Sequence, residues 1–276
     1  MNRLQGVVSD LDHTLLRDDQ SISPRDLAAI KSLRAMGIPV VLATGRHQLM
    51  CGHIADLVGR DVPVISNNGA TIFDFAAGRV LRSSVMPVAL VEELWRACLA
   101  QGRMWHVFTA DRILVSGDIA REDHPDRVVG DIVRKSPPFP WERMPEDFAP
   151  SSVGVVKFLV PNLPAGELGD FLRLVPGAVA LSVAYSAKDF IDITMREATK
   201  GTAVAWLAPR LGFEPQNALI MGDNGNDLSM LRLAGWPVAV QNAVPEARRA
   251  AAFITTDNEN SPLSQALEAL FPGLFA

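Results

Sequence analysis

Cysteine is scarce in this sequence, and the two examples, Cys51 and Cys98, have no spacing typical of metal ligands. We therefore expect both to be reduced thiols packed in helices, which excludes a disulfide framework and a zinc–thiolate site. Long apolar runs are also absent, since no stretch approaches the ~20 residues that a membrane-spanning helix needs. Asp10 and Asp12 interrupt the first apolar run almost at once, which argues against a secretory signal. The sequence predicts a cytoplasmic protein without a membrane partner.

A surplus of positive charge is missing as well, because the formal net charge is −5 and the sequence pI is about 5.6. Nucleic acid is therefore not the expected partner, since a phosphate backbone demands clustered Lys and Arg. A local positive pocket for one small phosphate stays compatible with this charge. With 276 residues, of which 48% are hydrophobic, the chain is large enough for one large α/β domain or for two domains.

Short apolar strands alternate with amphipathic helices at both ends of the chain. Strands are predicted near residues 6–10, 38–43, 62–66, 218–221, 237–240 and 252–255. Helices are predicted between them, and the later ones span residues 200–211, 227–234, 245–251 and 262–270. Continuous apolar strands separated by helices indicate a parallel sheet that is covered on both faces. The expected fold class is α/β, with a doubly wound, Rossmann-like parallel sheet as its core.

The first helix has recognisable ends. Ser23 fits the N-cap, Pro24 fits the first helical position, and Asp26 fits the carboxylate of a capping box. Gly37 is the expected C-terminal stop. A second helix is predicted to follow residue 46 and to continue to about residue 58.

The alternation changes after about Leu81. Residues 82–192 contain helix candidates at 87–101 and 164–174, and residues 117–152 are rich in proline and charge. Strand candidates lie near residues 103–108, 112–116, 153–160, 179–185 and 189–193. We predict an inserted α+β cap domain at residues 82–192, and a core domain formed by residues 1–81 and 193–276.

Polar clusters directly follow four of the predicted core strands. They are Asp10-Leu11-Asp12, Thr44-Gly45, Asn67-Asn68 and the segment from Gly222 to Asp227. In an open parallel sheet, ligands bind beyond the carboxyl ends of the strands. We therefore expect these clusters to converge on one site.

Carboxylates dominate the predicted site. Asp10 and Asp12 are two residues apart, so in an extended segment they would face the same way. Asp223 and Asp227 add acid from a distant strand end. Close carboxylates repel one another, and a divalent cation relieves this repulsion. Any one of these acids could merely cap a helix or a turn, but together, with no His or Cys cluster, they indicate Mg²⁺ rather than Zn²⁺.

Donors for a phosphate ester accompany these acids. Thr44 offers a hydroxyl group, and Gly45 allows its backbone N–H to approach a ligand closely. Lys200 lies at a predicted helix start, where a cation gains nothing from the helix dipole. This placement indicates an anion to bind, although position alone fits a solvated surface lysine equally well.

The ordered motifs resemble those of the haloacid dehalogenase superfamily. The motifs are Asp10-Leu11-Asp12-His13-Thr14, Thr44-Gly45-Arg46, Lys200-Gly201 and Gly222-Asp223-Asn224-Gly225-Asn226-Asp227. The segment Ser66-Asn67-Asn68-Gly69-Ala70 and the position of the insertion look like the Cof-type branch of phosphatases. Position 13 is most often glycine in that branch, so His13 is a departure that either faces solvent or touches substrate.

The resemblance implies a reaction at Asp10. This residue would attack phosphorus and form an aspartyl-phosphate, and Asp12 would act first as a general acid and then as a general base. Thr44 and Lys200 would bind the phosphoryl oxygens. The resemblance also implies Mg²⁺, with ligands from Asp10, the main-chain carbonyl of Asp12, Asp223 and, through water, Asp227. Further candidates are Gly45, Arg46, Asn68 and Asn226 for the substrate, Thr14 for orienting the first loop, and Asn242 for support.

Three alternatives accompany the predicted phosphatase. Dehalogenation needs no second acid to protonate an alcohol, so Asp12 favours phosphoryl transfer. A phosphomutase of the phosphomannomutase type would keep every core motif but would need clustered cap arginines for a second phosphate. The cap arginines are scattered: Arg103, Arg112, Arg121, Arg127, Arg134, Arg143 and Arg173. A non-catalytic sensor of a phosphorylated metabolite also stays open.

The leaving group is the least defined part of the prediction. A sugar phosphate is the expected substrate, with nucleotide, pyridoxal and flavin phosphates open. In a two-domain enzyme of this kind, the cap excludes water and selects the leaving group. Candidate cleft residues are Trp105, His106, Lys157, Tyr185 and Lys188.

Overall fold

The structure is a computed structural model, which describes residues 3–116, 140–187 and 190–275. Its strands are β1 (Gly6–Ser9), β2 (Val40–Ala43), β3 (Val64–Ser66), β4 (Thr71–Asp74), β5 (Arg79–Ser83), β6 (His106–Thr109), β7 (Ile113–Val115), β8 (Glu142–Arg143), β9 (Val155–Val160), β10 (Leu181–Ala187), β11 (Phe190–Met195), β12 (Ala218–Gly222), β13 (Trp236–Ala239) and β14 (Phe253–Ile254). Its helices are α1 (Pro24–Ala35), α2 (Gly52–Val58), α3 (Val88–Ala100), α4 (Ala165–Arg173), α5 (Lys200–Leu207), α6 (Leu228–Leu231), α7 (Pro245–Ala250) and α8 (Pro262–Leu270). Arg121, Arg127, Arg134, Lys188 and residues 117–139 of the predicted irregular segment lie outside the described residues.

The first sheet contains eight strands in the order β14-β13-β12-β1-β2-β3-β4-β5. Neighbours from β14 to β3 are parallel, whereas β4 and β5 are added antiparallel. Strand β1 is buried throughout and pairs with β12 on one side and β2 on the other. Apolar strands buried on both faces are what a helix-covered parallel sheet requires. The predicted α/β class is confirmed, and the carboxyl ends of β1, β2, β3 and β12 meet at one edge.

A hairpin of β4 and β5 is the part of the first sheet that the sequence did not predict. No residue of β5 is fully buried, so no apolar run marks this strand. Arg82 and Ser83 pair with β4, which places them in the first sheet. Strand β11 likewise continues to Met195 within the second sheet. The predicted boundaries at 81/82 and 192/193 therefore fall inside strands, and the chain passes between the sheets a few residues later on each side.

The second sheet contains six strands in the order β10-β11-β9-β6-β7-β8. Neighbouring strands are antiparallel except for the parallel pair β7 and β8. Leu94 of α3 and Phe171 of α4 share a buried core with Phe158 of β9. A separate buried cluster joins Phe108 of β6 to Ala70, which lies at the end of the loop after β3 and directly precedes β4. The second sheet therefore makes apolar contact with the end of the first sheet at which the polar clusters lie.

The start of α1 agrees with the predicted N-cap, but the role of Asp26 and the start of α2 differ from the prediction. The Ser23 hydroxyl oxygen accepts a hydrogen bond from the Asp26 N–H at 3.0 Å, as predicted. The Asp26 carboxylate does not complete a capping box; it accepts bonds from the Ser264 N–H and hydroxyl, both at 2.8 Å. Helix α2 begins only at Gly52, because residues 48–50 form a 3₁₀ turn that the His47 side chain caps.

The structure agrees with two features of the sequence, the scarcity of cysteine and the lack of long apolar runs. Both cysteines are free and buried, and burial raises the pKa of each thiol to about 12. Cys98 lies within α3 as predicted, whereas Cys51 lies in the turn before α2. Such thiols stay protonated and pack as small apolar side chains. In the part of the chain that the structure describes, every helix is too short or too polar to cross a membrane.

Candidate functional site

Three buried carboxylates lie together where β1 and β12 end. Asp10 follows β1, and Asp223 and Asp227 follow β12, its neighbour in the sheet. One oxygen of each carboxylate lies within 4.8 Å of the others. Their residues are only 5%, 7% and 0% exposed, respectively. The structure thus brings together three of the residues that the sequence assigned to a metal site.

Lys200 lies between two of these carboxylates. It is the first residue of α5, and its Nζ is 2.8 Å from Asp10 Oδ1 and 2.6 Å from Asp227 Oδ1. The side chain is fully buried. Burial alone would lower the pKa of Lys200, but the two carboxylates outweigh this effect and raise it. The surface-lysine interpretation is therefore wrong, and the ammonium group is held inside the site.

Asp227 organises the loop that follows β12. Its Oδ2 accepts hydrogen bonds from the main-chain N–H groups of Asp223 and Asn224, both at 2.9 Å. Its Oδ1 accepts from Lys200 at 2.6 Å. Gly222 has no room for a side chain, because an added Cβ would lie 2.6 Å from Asp227. Both carboxylate oxygens of Asp227 thus already accept hydrogen bonds from protein donors. The position of Asp227 in the sequence alone suggests a carboxylate that is free to bind a metal ion.

The three carboxylates hold more negative charge than Lys200 offsets. Burial raises the pKa of Asp10 well above its usual range, Asp227 raises it further, and Lys200 opposes them. Burial and Asp227 also raise the pKa of Asp223, although Thr14 Oγ1 donates to Asp223 Oδ1 at 2.8 Å. Three carboxylates opposite one ammonium group fit a divalent cation, which would reduce their repulsion. Because all the donor atoms are carboxylate oxygens, the group fits Mg²⁺.

Asp12 has a different partner from the other three acids. Its carboxylate accepts hydrogen bonds from Arg46 Nε at 2.8 Å and from Arg46 Nη2. The chain turns directly after Asp10, and His13 has a left-handed φ of 56°. The extended geometry assumed from the sequence therefore ends at Asp10. The Asp12 carboxylate therefore forms an ion pair with Arg46 and is not part of the group of Asp10, Asp223 and Asp227.

Loop 44–46 follows β2 and contacts the other predicted substrate residues. Thr44 is fully buried, and its Oγ1 accepts a hydrogen bond from the Arg46 N–H at 3.1 Å. At Gly45 an added Cβ would lie 2.9 Å from Asn68 Oδ1. That same Asn68 oxygen accepts from Asn226 Nδ2 at 2.9 Å. The loops after β2, β3 and β12 are therefore joined by direct contacts.

His13 lies beside a cavity that reaches the acidic group. Its positive φ favours glycine, and its main-chain oxygen accepts from Asn242 Nδ2 at 2.8 Å. Its side chain is 71% exposed, which agrees with the solvent-facing interpretation. The cavity, of about 490 Å³, is lined by residues that include His13, Arg17 and Asp223. Asn242 thus supports the first loop, and Asp223 of the carboxylate group lines the cavity on this side.

Two charged residues of the second sheet also reach the site. Lys157 Nζ donates to the Gly45 main-chain oxygen at 2.9 Å, and Asn68 Nδ2 donates to Asp192 Oδ2 at 3.0 Å. Lys157 Nζ and Asp192 Oδ2 lie 3.2 Å apart. The sequence named Lys157 as a cleft candidate but missed Asp192. The available signal is a charged residue inside the mostly apolar strand Phe190–Met195.

The remaining cleft candidates lie elsewhere in the second sheet or beside it. His106 is buried in β6, and Trp105 packs against the core that α3 and α4 share with the sheet. Tyr185 lies on the edge strand β10 and is 37% exposed. None of these three residues belongs to the loops in which the carboxylate group lies.

The chain is similar to known proteins over almost all of its length. A family model for haloacid dehalogenase-like hydrolases matches residues 7–267. The chain is 26% identical over 286 residues to 5-amino-6-(5-phospho-D-ribitylamino)uracil phosphatase YwtE of Bacillus subtilis, covering 98% of this chain and 99% of that protein. It is 26% identical over 270 residues to pyridoxal phosphate phosphatase YbhA of Escherichia coli, covering 94% and 96%. A solved structure of a subclass IIB sugar phosphatase has a TM-score of 0.81 at 22% identity, covering 96% of this chain and 98% of that one.

The family model covers most of the chain, so the chain belongs to the haloacid dehalogenase-like hydrolase family. The prediction of a phosphoric monoester hydrolase that is similar to the Cof-type phosphatases is confirmed.

Proposed function

We propose that this chain is a Mg²⁺-dependent phosphatase that hydrolyses a small phosphorylated metabolite through an aspartyl-phosphate on Asp10. The observation that supports this most is the way in which Asp10 is held. Its Oδ1 accepts hydrogen bonds from the Leu11 N–H at 2.7 Å and lies 2.8 Å from Lys200 Nζ. These donors fix the carboxylate and place positive charge where a phosphoryl group would meet it.

In the first step, a carboxylate oxygen of Asp10 bonds to phosphorus while the bond from phosphorus to the leaving oxygen breaks. Asp12, once released from Arg46 and protonated from solvent, gives that proton to the leaving oxygen, so an alcohol departs. Asp12 then takes a proton from water, the water oxygen bonds to phosphorus, and inorganic phosphate leaves Asp10. This exchange of roles needs one group that is first an acid and then a base, and Asp12 is the carboxyl group next to Asp10 that the buried cluster does not use.

Arg46 controls when Asp12 is available. In the structure it binds the Asp12 carboxylate, while its buried Nη1 has no hydrogen-bond partner among the described residues. A phosphoryl oxygen bound to Arg46 would compete with Asp12 for the guanidinium group. Substrate binding would thus release Asp12 for proton transfer.

The other phosphoryl contacts come from Thr44, Gly45 and Lys200. The Thr44 oxygen already accepts from Arg46, so its hydroxyl proton can be donated to a phosphoryl oxygen. Mg²⁺ would be held by Asp10, Asp223 and the main-chain carbonyl of Asp12, and would supply charge neutralisation to the phosphate group. Asp227 supports this set by holding Lys200 and the loop of Asp223.

The relatives support a proposal for the substrate class. The named relatives act on a phosphoribitylaminopyrimidine and on pyridoxal phosphate, and a structural neighbour is a sugar phosphatase. All three names describe small phosphorylated molecules, and a sugar phosphate is our proposal for this chain. The segment predicted as a cap, residues 82–192, would cover the leaving group and select it.

A phosphomutase needs free cations for a second phosphate, and two of the cap arginines are already engaged. Arg103 forms an ion pair with Glu167, and Arg112 lies 3.7 Å from Glu142. These contacts favour hydrolysis over transfer between two sugar positions.

The proposal is tested by release of phosphate from p-nitrophenyl phosphate and from a panel of phosphorylated metabolites, with EDTA or with Mg²⁺. We expect turnover only with the metal and its loss in Asp10→Asn, with the melting temperature of the variant as the control for folding. Full activity in Asp10→Asn would rule out the nucleophile. Binding of phosphorylated metabolites without any turnover would indicate a sensor instead, and interconversion of sugar phosphates without phosphate release would indicate a mutase.

A further inference from the structure

A buried ion pair of the second sheet is hydrogen-bonded to two loops of the first sheet. The pair consists of Lys157 on β9 and Asp192 on β11, whose side chains are 5% and 0% exposed. Lys157 donates to the loop after β2, and Asp192 accepts from the loop after β3. We infer that Lys157 and Asp192 are positioning residues for the phosphoryl site, a role that rests on the proposed function.

Lys157 clamps one peptide group of loop 44–46. Its Nζ donates to the Gly45 oxygen at 2.9 Å, and the N–H on the other side of the same planar peptide, that of Arg46, donates to Thr44 Oγ1 at 3.1 Å. The peptide is thus held at both of its polar ends. Because the Thr44 oxygen accepts this N–H, its proton is directed to another acceptor, which is the phosphoryl oxygen in the proposed reaction.

Asp192 fixes the orientation of the Asn68 side-chain amide. A carboxylate can only accept, so the group of Asn68 that meets Asp192 Oδ2 at 3.0 Å is its NH₂. The amide oxygen then faces the loop after β12, where it accepts from Asn226 Nδ2 at 2.9 Å. In this way one acid of the second sheet orders two loops of the first.

The pair acts by geometry and not by added charge. Lys157 and Asp192 neutralise each other, and the ammonium group also lies 4.2 Å from the centre of the Phe108 ring. With 5% of its side chain exposed, Lys157 has little surface with which to meet a substrate. Its effect on the reaction therefore passes through Gly45 and Thr44, which is what distinguishes positioning from binding.

The first test is made on the unliganded protein. Lys157→Met removes the donor to the Gly45 oxygen, and we expect exchange of the Arg46 amide hydrogen to become at least about tenfold faster, since a hydrogen bond from a charged group is lost. Arg103→Met is the matched control, because it also breaks an ion pair, between Arg103 just before β6 and Glu167 of α4, and its bonds go to residues far from loop 44–46. Unchanged exchange of the Arg46 amide in Lys157→Met, or equal acceleration in both variants, would overturn the inference.

The second test separates positioning from a merely structural role. Lys157→Met leaves Asp192 buried without its ammonium partner and should lower the melting temperature, whereas the double variant Lys157→Met/Asp192→Asn removes both charges and should recover it. The inhibition constant of inorganic phosphate and the KM for p-nitrophenyl phosphate should stay raised about tenfold in both, because the peptide clamp is missing in both. The midpoint for Mg²⁺ should not change.

A double variant with wild-type phosphate affinity would show that the pair only stabilises the fold. If the wild-type protein releases no phosphate from any ester, the proposed function fails by itself. The Arg46 exchange measurement still decides the positioning role in that case, because it needs neither substrate nor metal.

Discussion

Replacing Lys200 with methionine tests the electrostatics of the site most directly. Methionine keeps much of the length of the side chain and removes the charge. Lys200 Nζ lies 2.8 Å from Asp10 Oδ1 and 2.6 Å from Asp227 Oδ1, and all of these groups are buried. The variant therefore leaves the three carboxylates with no cation among them.

The magnitude follows from the burial of the pair. Removing one partner of a buried ion pair costs roughly 3–5 kcal/mol of the free energy of unfolding. Mg²⁺ supplies the missing positive charge, and a ligand at a hundredfold excess over its dissociation constant stabilises by about 2.7 kcal/mol. Without Lys200 the cation no longer meets a like charge at the site, so the variant should bind Mg²⁺ more tightly than the wild type while losing phosphatase activity.

The assay is urea unfolding at pH 7, in EDTA and again with saturating Mg²⁺. Arg25→Met is the control, since Arg25 pairs with Glu268 at the surface and both side chains are about half exposed. We expect this control to lose at most about 1 kcal/mol, equally with and without the metal. The reasoning is refuted if Lys200→Met loses no more than the control in EDTA, or if Mg²⁺ restores none of the loss.

Three further predictions concern neighbouring positions. Gly45→Ala should lower kcat/KM at least about tenfold, because its Cβ would lie 2.9 Å from Asn68 Oδ1, whereas Gly52→Ala, with nothing within 4 Å, should keep wild-type kinetics. Burial lowers the pKa of His47 from 6.5 to about 4, so the unfolded chain takes up a proton first on acidification. The free energy of unfolding should therefore fall by about 2 kcal/mol between pH 7 and pH 5, and in His47→Gln this part of the pH dependence should be missing. Asp12→Asn should slow both phosphate-ester cleavage and the hydrolysis of the aspartyl-phosphate, measured as burst and steady-state rates; an unchanged steady-state rate would exclude Asp12 as the acid and base.

The sequence predicts the first sheet well because its signals are local. Buried parallel strands need uninterrupted apolar runs, and four of the predicted runs end in a polar cluster that is visible in the sequence. The sequence does not predict the hairpin of β4 and β5, because no residue of β5 is fully buried and no apolar run marks that strand. The sequence predicts the start of α2 too early, because the 3₁₀ turn that His47 caps resembles a helix start in its local sequence.

The site depends on contacts that local patterns do not record. Position alone left Lys200 equally consistent with a surface residue, and only the approach of α5 to β1 and β12 decides its environment. The spacing of Asp10 and Asp12 predicts a shared direction, but the chain turns directly after Asp10, and Asp12 pairs with Arg46 outside the group of buried carboxylates. Tertiary packing decides both environments. The rule that residues two apart face the same way holds only within a strand and fails where the strand ends.

Asp192 shows why the second sheet is the hardest part to predict from the sequence. Its contact with Asn68 joins residues 124 positions apart, and its partner Lys157 is 35 positions away. Because this pair is bound to the loops that would hold the phosphoryl group, β9 and β11 cannot change freely without disturbing the reaction. Selection of the leaving group should therefore come from other residues of the second sheet, so that substitutions outside β9 and β11 alter substrate preference while hydrolysis of p-nitrophenyl phosphate is retained.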